Sequence, residues 1–295
     1  MNIAYLISAH TDAPQLKRLT EALHRDAEFF IHIDLKSNLD DFTSILSNPH
    51  VHFIPHRVDV AWGTFTEVEY QMHLLGAAVD FPKHFDHIFF LSGMDFPLWS
   101  TEHITEWLKE HKEQEQLQGL CMENPLLNDQ QRMLYTTLRP FSRHRKWAIL
   151  KRKVLHALGR RKKLHFYVNG QKWSLYKGSA WWCISEELAA EILYAYKHLP
   201  ELKHYFRDSF CPAETVIQTI AFNHPRWRNR CLLTEGEYPG LAALTPLHFI
   251  DYDPVIKVLD ETDYPRLTQS GKMFCRKVVS GKSDKLVELI LKQRK

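Results

Sequence analysis

The chain has 295 residues, 44% of them hydrophobic and 25% charged, and its 38 Lys and Arg against 35 Asp and Glu leave a formal charge of +3. That composition belongs to an ordinary globular protein, excludes collagenous and low-complexity chains, and includes no run of about 18 apolar residues able to span a membrane. Five scattered cysteines without a CxxC pair argue against a disulfide framework or a zinc site and point to a reducing cytoplasm.

The first predicted element is the apolar run from Ile3 to Ile7. It lacks the basic flank and the length of a secretory signal, so it reads as a strand, ending at Ser8-Ala9-His10. Leu16, Leu19 and Leu23 then fall on one face of a helix over 15–23. Residues 29–34 and 51–54 read as the second and third strands. A helix over 67–79 follows, with Val68, Met72, Leu75 and Val79 in step and with Thr66 and Glu69 at capping-box spacing. Residues 87–92 form another buried strand. Strands alternating with helices over roughly 90 residues predict an α/β domain with a largely parallel sheet.

Between Arg143 and Lys163 stand ten basic residues and no acid, and the rest of the chain carries 28 basic against 35 acidic residues, a balance of −7. Trp147, Leu150, Val154, Leu155 and Leu158 share one helical face of this segment. That pattern suits a helix lying on an anionic membrane, and equally a core-packed helix with a solvated outer face. The later half is less regular: Trp-rich strands near 173–184, a helix over 186–196, a helix opening at Pro212 and a terminal helix over 284–292. No repeat and no Gly/Ser linker divides the chain, so a single domain over 1–295 with a basic insert near 143–163 is expected.

Ligands of parallel α/β sheets bind beyond the carboxyl ends of the strands. That rule selects His10 and Thr11, Asp34, and Gly93-Met94-Asp95. Neither GxGxxG nor GxxxxGK[ST] occurs, so a dinucleotide-binding Rossmann enzyme and a P-loop NTPase lack their phosphate loops. Pro212-Ala213-Glu214-Thr215 puts Glu214 in the first turn of the predicted helix. The helix dipole favours an ionised carboxylate there, a suitable general base, though first-turn acids also serve as caps. Asp34 and Asp95 are either ligand contacts or turn caps. Trp62 stands before a helix and is free for stacking or for burial. Trp181 and Trp182 would line a sugar site or pack in the core, and Arg276 and Lys277 are either a diphosphate clamp or a solvated pair.

Taken in order, seven segments resemble the core-2/I-branching β-1,6-N-acetylglucosaminyltransferase family, which is related to peptide O-xylosyltransferase. They are Ala4 to His10, Ile31 to Ser37, Trp62-Gly63, Leu91 to Leu98, Gly178 to Trp182, Pro212 to Thr215 and Phe274 to Lys277. The resemblance implies an α/β, GT-A-like Rossmann-type fold: a mostly parallel central sheet flanked by helices. It implies an inverting transfer of a sugar, N-acetylglucosamine in the leading reading, from a UDP-sugar to a hydroxyl of a saccharide or lipid-linked saccharide acceptor. Glu214 maps to the general base. Ala9, His10, Thr11, Asp34 and Lys36 map to nucleotide contacts, with Trp62 and Asp95 beside them. Lys277 maps to a cation that neutralises the diphosphate, and Arg276 stands next to it. His248 falls where the family usually has a second cation, an arginine. Glu102 is the nearest candidate for an acceptor-binding acid, a helix cap being the alternative, and Trp181 and Trp182 are the sugar-stacking candidates. The resemblance implies no metal and no other cofactor. Asp251-Tyr252-Asp253 is formally a DxD motif but lies far from the strand end where a GT-A metal motif belongs.

Two alternatives stand beside that reading. The donor is UDP-xylose or another UDP-hexose, or the chain is a non-catalytic module binding anionic surfaces through 143–163. Nucleic acid is not an expected partner, because the rest of the chain is acidic. The expected location is cytoplasmic, peripheral on the inner membrane face.

Overall fold

A computed structural model describes residues 1–140 and 145–294. The first part of the chain gives β1 (Ile3–Ala9), α1 (Ala13–Glu21), β2 (Glu28–Ile33), α2 (Asp40–Thr43), β3 (Val51–Phe53), α3 (Thr66–Val79), β4 (His87–Ser92), β5 (Asp95–Pro97) and α4 (Thr101–Glu110). The middle gives β6 (Gln118–Cys121), α5 (Asp129–Thr136), α6 (Arg145–Ala157), β7 (His165–Val168), β8 (Gln171–Ser174), β9 (Tyr176–Lys177), β10 (Trp182–Ile184) and α7 (Glu186–His198). The last part gives α8 (Pro200–Phe206), α9 (Val216–Asn223), α10 (Pro225–Arg228), β11 (Leu232–Thr234), β12 (His248–Ile250), α11 (Tyr264–Thr268), β13 (Phe274–Arg276) and α12 (Asp284–Gln293).

The central sheet runs β10-β4-β1-β2-β3. Its β4, β1, β2 and β3 are parallel, and β10 closes the β4 edge antiparallel. The fold is thus the α/β class expected, a parallel-dominated sheet flanked by helices. Strand side chains alternate between faces, and the sequence uses the alternation to fill two cores. Ala4, Leu6, Phe30, Ile88, Phe90 and Trp182 point to the face covered by α3, α7 and α9. Ile3, Tyr5, Ile7, Phe29, Ile31, Phe89 and Leu91 point to the face covered by α1 and α4. Tyr5 stacks between Phe29 and Phe89, with ring centroids 5.5 and 5.1 Å apart. A fully buried Phe contributes about 1.5–3 kcal/mol, so such strands, apolar on both faces, are held in the interior. A smaller sheet, β12-β13-β5, lies over a third core that includes Phe96, Cys275, Leu286 and Ile290.

Two local expectations change. The capping box at Thr66 and Glu69 does not form. Phe65 is the cap residue of α3 without a side-chain bond, and the Thr66 hydroxyl instead accepts the Ala61 N–H at 2.9 Å. The basic segment is helical, ending where Gly159 turns left-handed at φ +65°. Arg143, the first cation of the run, lies outside the described residues. The core-packed reading of this helix is not what the fold gives. Trp147 is 59% exposed and Leu158 68%, with Leu150 and Val154 exposed between them; Leu155 alone of the five is half-buried. The apolar stripe faces outward because no neighbouring element covers it among the described residues. No helix among them is long and apolar enough to cross a membrane.

Candidate active site

The carboxyl ends of β1, β2 and β4 open onto a cavity of about 720 Å³. Ser8, Ala9, His10, His32, Asp34 and Ser92 form this wall. Asp34 follows the last residue of β2, and its N–H is tied to Ala9 O at 2.9 Å, which keeps the two strand ends together. Its carboxylate closes a tight turn by accepting the Lys36 N–H at 2.9 Å, and the Lys36 ammonium lies 3.0 Å from it and 2.9 Å from Asp59. Arg57 braces the same turn from behind through the carbonyls of Ile33, Asp34 and Ser37. Burial pushes the His32 pKa down to about 4, and its Nε2 accepts the Val58 N–H at 2.9 Å, so this imidazole is neutral. Partial burial also lowers the pKa of His10; Asp34 opposes the shift and Lys277, Arg276 and Lys36 add to it. The strand-end wall therefore pairs one carboxylate with several cations and neutral imidazoles, a setting suited to an anion carrying hydrogen-bonding groups.

Arg276 reaches the cavity from β13 and is held from behind. Its Nη1 donates to Asp95 Oδ1 at 2.8 Å, and the Trp181 ring lies 4.8 Å from its guanidinium carbon. Asp95 is fully buried. Burial opposes its charge, but Arg276, His248 and the Ser92 N–H, which donates at 2.7 Å, hold its carboxyl below the usual range. His248 donates from Nε2 to Asp95 at 3.2 Å, stacks on Phe274 and is 1% exposed. Asp95 and His248 were expected among the nucleotide contacts. The structure puts both behind the wall, where they fix Arg276 rather than line the cavity. The reason is register: Arg276 pairs with Asp95 between β13 and β5, and His248 lies on β12 two strands from β5.

The opposite wall comes from segments far apart in the chain. Pro212–Glu214 is a separate 3-10 turn, and Thr215, with φ −134°, interrupts the chain before α9 starts at Val216. Glu214 is therefore not in the first turn of an α-helix as expected, and a helix dipole is not what meets its carboxylate. Lys177 of β9 does so instead, with Nζ 2.7 Å from Glu214 Oε2. Burial opposes the Lys177 charge, but Glu214 outweighs it and keeps the ammonium well above its ordinary range. Gly178, next in the chain, is required by close approach, since a Cβ there would lie 2.0 Å from Gln118 O. Its N–H donates to Glu214 O at 2.9 Å, binding the strand to the turn. Glu67 faces the same space from α3 and accepts the Gly63 N–H at 2.7 Å. Burial raises its pKa to about 7, the Gly63 N–H working against this and Glu214 adding to it. Tyr135, Tyr238, Phe210 and Trp62 complete an aromatic rim, and Trp62 stands 79% exposed with its edge toward Phe210.

Thus Ala9, His10, Asp34, Lys36, Trp62, Trp181, Glu214 and Arg276 share one cavity. Lys277 stands beside it, close enough to depress His10. Thr11 is exposed at the end of β1 and is not part of the lining. Trp182 is 1% exposed and stacks on Phe90 in the core, because neighbouring strand residues point to opposite faces. Glu102 sits on α4 in a separate shallow cleft with His24 and Arg294, so it is not an acceptor contact in this cavity. It is not the helix cap either: Ser100 caps α4 by accepting the His103 N–H at 3.2 Å. Asp251 of the DxD segment pairs with Arg266 at 2.9 Å. Glu67, Tyr135, Lys177 and Tyr238 were not singled out in the sequence. For Lys177 the only signal was its place before Gly178, and its partner lies 37 residues later.

A family model described as Core-2/I-Branching enzyme matches residues 3–253. A curated xylosyltransferase of Ciona intestinalis is 22% identical over 229 residues, 76% of this chain, and the chain spans about a quarter of that relative's length, 25%. Among solved structures, apo mouse xyloside xylosyltransferase 1 is similar at 14% identity over 79% of this chain and 84% of that one, with a TM-score of 0.33. The apo structure of the bifunctional glycosyltransferase WbbM is similar at 10% identity over 99% of this chain and 49% of that one, with a TM-score of 0.41.

Proposed function

The chain belongs to the Core-2/I-branching enzyme family, and from that premise we propose that it is an inverting, metal-independent glycosyltransferase. It moves a sugar, N-acetylglucosamine in the leading reading, from a UDP-sugar to a hydroxyl of a saccharide acceptor. The observation that carries the proposal is the facing of Glu214 and Arg276 across one cavity whose third side is the strand-end turn at Asp34. On this reading the nucleotide lies along Ala9, His10, Asp34 and Lys36, with its diphosphate toward Arg276 and Lys277. Trp181 and the aromatic rim contact sugar faces. Glu214 takes the proton of the acceptor hydroxyl as its oxygen attacks C1 of the donor sugar. The C1–O bond to the diphosphate breaks on the opposite face, and its electron pair leaves with UDP. The guanidinium of Arg276 and the ammonium of Lys277 offset that growing charge, the part a divalent metal takes in other sugar transferases. Loss of a positioned general base costs ~10²–10⁴-fold, so Glu214→Gln should lose turnover by that factor. Near-normal transfer by this variant would remove the base assignment. Transfer undiminished in EDTA supports the metal-free part, and a strict Mn²⁺ requirement overturns it.

The curated relative's name favours a second donor, UDP-xylose. Donor turnover measured with UDP-N-acetylglucosamine and UDP-xylose side by side separates the two. The outward apolar stripe of α6, with Lys146, Lys151, Arg152 and Lys153 on the same helix, supports an anionic membrane as a further partner, bringing the enzyme to a lipid-linked acceptor. Each cation near an anionic surface is worth about 1 kcal/mol, so replacing these four by Gln should release the protein from phosphatidylglycerol vesicles. Unchanged co-sedimentation would refute the membrane reading and leave the transferase reading untouched.

A further inference from the structure

Lys177 is the least exposed charged group of the cavity wall, with a side chain 7% accessible against 24% for Glu214. Both side chains line the cavity, and the carboxylate is the more accessible of the two. A buried cation without an acid partner is strongly unfavourable, so its presence needs a reason. Among the described residues Glu214 is the one acid that pairs with it, and its other polar partners are Gly178 O at 3.3 Å and the Tyr135 hydroxyl. The rings of Tyr135 and Tyr238 flank it, each 5.9 Å away. No other hydrogen bond among the described residues reaches the Glu214 carboxylate, so Oε2 is held and Oε1 is left to the cavity. The backbone repeats the arrangement. Gly178 N–H is bonded to Glu214 O, and Gln218 Nε2 of α9 donates to Ser179 O at 2.7 Å, so the segment after β9, the 212–214 turn and α9 are tied to one another.

We propose that Lys177 is the positioning residue for Glu214: it grips one carboxylate oxygen and turns the other toward the acceptor hydroxyl. This rests on reading Glu214 as the base. Lys177 itself touches neither sugar nor nucleotide in this account. Its work is orientation, and a displacement of about 1 Å at a reacting group is enough to cost roughly 10²-fold. A buried lysine kept only to satisfy structure would affect stability and all binding steps together, whereas a positioning lysine affects turnover through one carboxylate.

The test uses the full chain with UDP-sugar donor and acceptor. Lys177→Ala should lower kcat by ~10²-fold while the donor KM and the Kd for UDP stay within about 3-fold, the signature of a contact that matters only as the barrier is crossed. A short alkylammonium such as propylammonium should restore part of the lost kcat by refilling the cation's place, and propanol, of the same size but neutral, should not. Lys177→Met keeps the volume of the stem without the charge, and it replaces the alanine variant if that one melts at much lower temperature. Glu214→Gln is measured alongside. If it is inactive while both Lys177 variants keep at least half of the normal kcat, Lys177 does not position the base. If kcat and UDP affinity fall together in the Lys177 variants, and propanol rescues as well as propylammonium, the residue is structural and the proposal fails. Near-normal activity in Glu214→Gln removes the base reading instead, whatever Lys177 does.

Discussion

The two walls of the cavity are built on opposite plans. The strand-end wall is a set of short local turns on a rigid parallel sheet, where Asp34 and Lys36 are two residues apart and fixed by backbone bonds. The opposite wall is assembled from Trp62, Glu67, Tyr135, Lys177, Glu214 and Tyr238, which come from five separate stretches of chain. The first wall gathers cations around one exposed turn, while the second buries an ion pair among aromatic rings. Such a division suits two tasks. A charged leaving group needs fixed cations, and a base needs a carboxylate held still in a partly dry place.

Of the substitutions that would disturb one wall and spare the other, Arg276→Gln should have the largest effect. Arg276→Gln leaves the buried Asp95 carboxylate without its guanidinium. Breaking such a pair costs about 3–5 kcal/mol, visible as a lower melting temperature, and donor kcat/KM should fall with it. An unchanged melt would mean that the Asp95 cluster is not what holds the strand-end wall. Glu67 probes the other wall. Its folded pKa of about 7 lies above the ordinary value of 4.5, so the folded protein binds the proton more tightly than the unfolded chain. Its contribution is fully present below about pH 4.5 and is lost as pH rises to about 7, a decline of roughly 3 kcal/mol. Glu67→Gln should flatten that part of the stability profile, read by chemical denaturation at several pH values. An unaltered slope would show that the second wall is wetter than described. Glu102→Gln, in its separate cleft, should change neither kcat nor donor KM, and a tenfold loss of activity would return Glu102 to the site.

The α/β sheet was legible because strands buried on both faces leave continuous apolar runs, as at 29–33 and 87–91, and the helices between them keep a 3.6-residue period. The strand-end rule found His10 and Asp34 for the same reason, loops at those ends having few places to go, although Thr11, which it also selected, does not line the cavity. It does not say which side of a strand a residue faces, so Asp95 was expected at the ligand and lies behind it, as does His248, which the family resemblance had placed there. The same limit separates Trp181 from Trp182. Glu214 stood out through its motif, but its surroundings did not. A helix start was expected where a 3-10 turn stands, and the group that meets its carboxylate, Lys177, comes from another strand. Contacts between distant segments are set by tertiary packing, and a local period carries no record of them. The exposed face of α6 is a further case, since amphipathic spacing reads alike whether the apolar stripe is covered or open.

The division of tasks between the walls is tested most directly by UDP affinity, titrated calorimetrically into the Glu214→Gln and Asp34→Asn variants. Asn at position 34 still accepts the Lys36 N–H and so keeps the turn, but it lacks the charge. The account predicts a Kd within about 3-fold of the parent for Glu214→Gln and a loss of ~10-fold for Asp34→Asn, the worth of one charge-assisted contact. The reverse pattern, with UDP lost in Glu214→Gln and kept in Asp34→Asn, would contradict it.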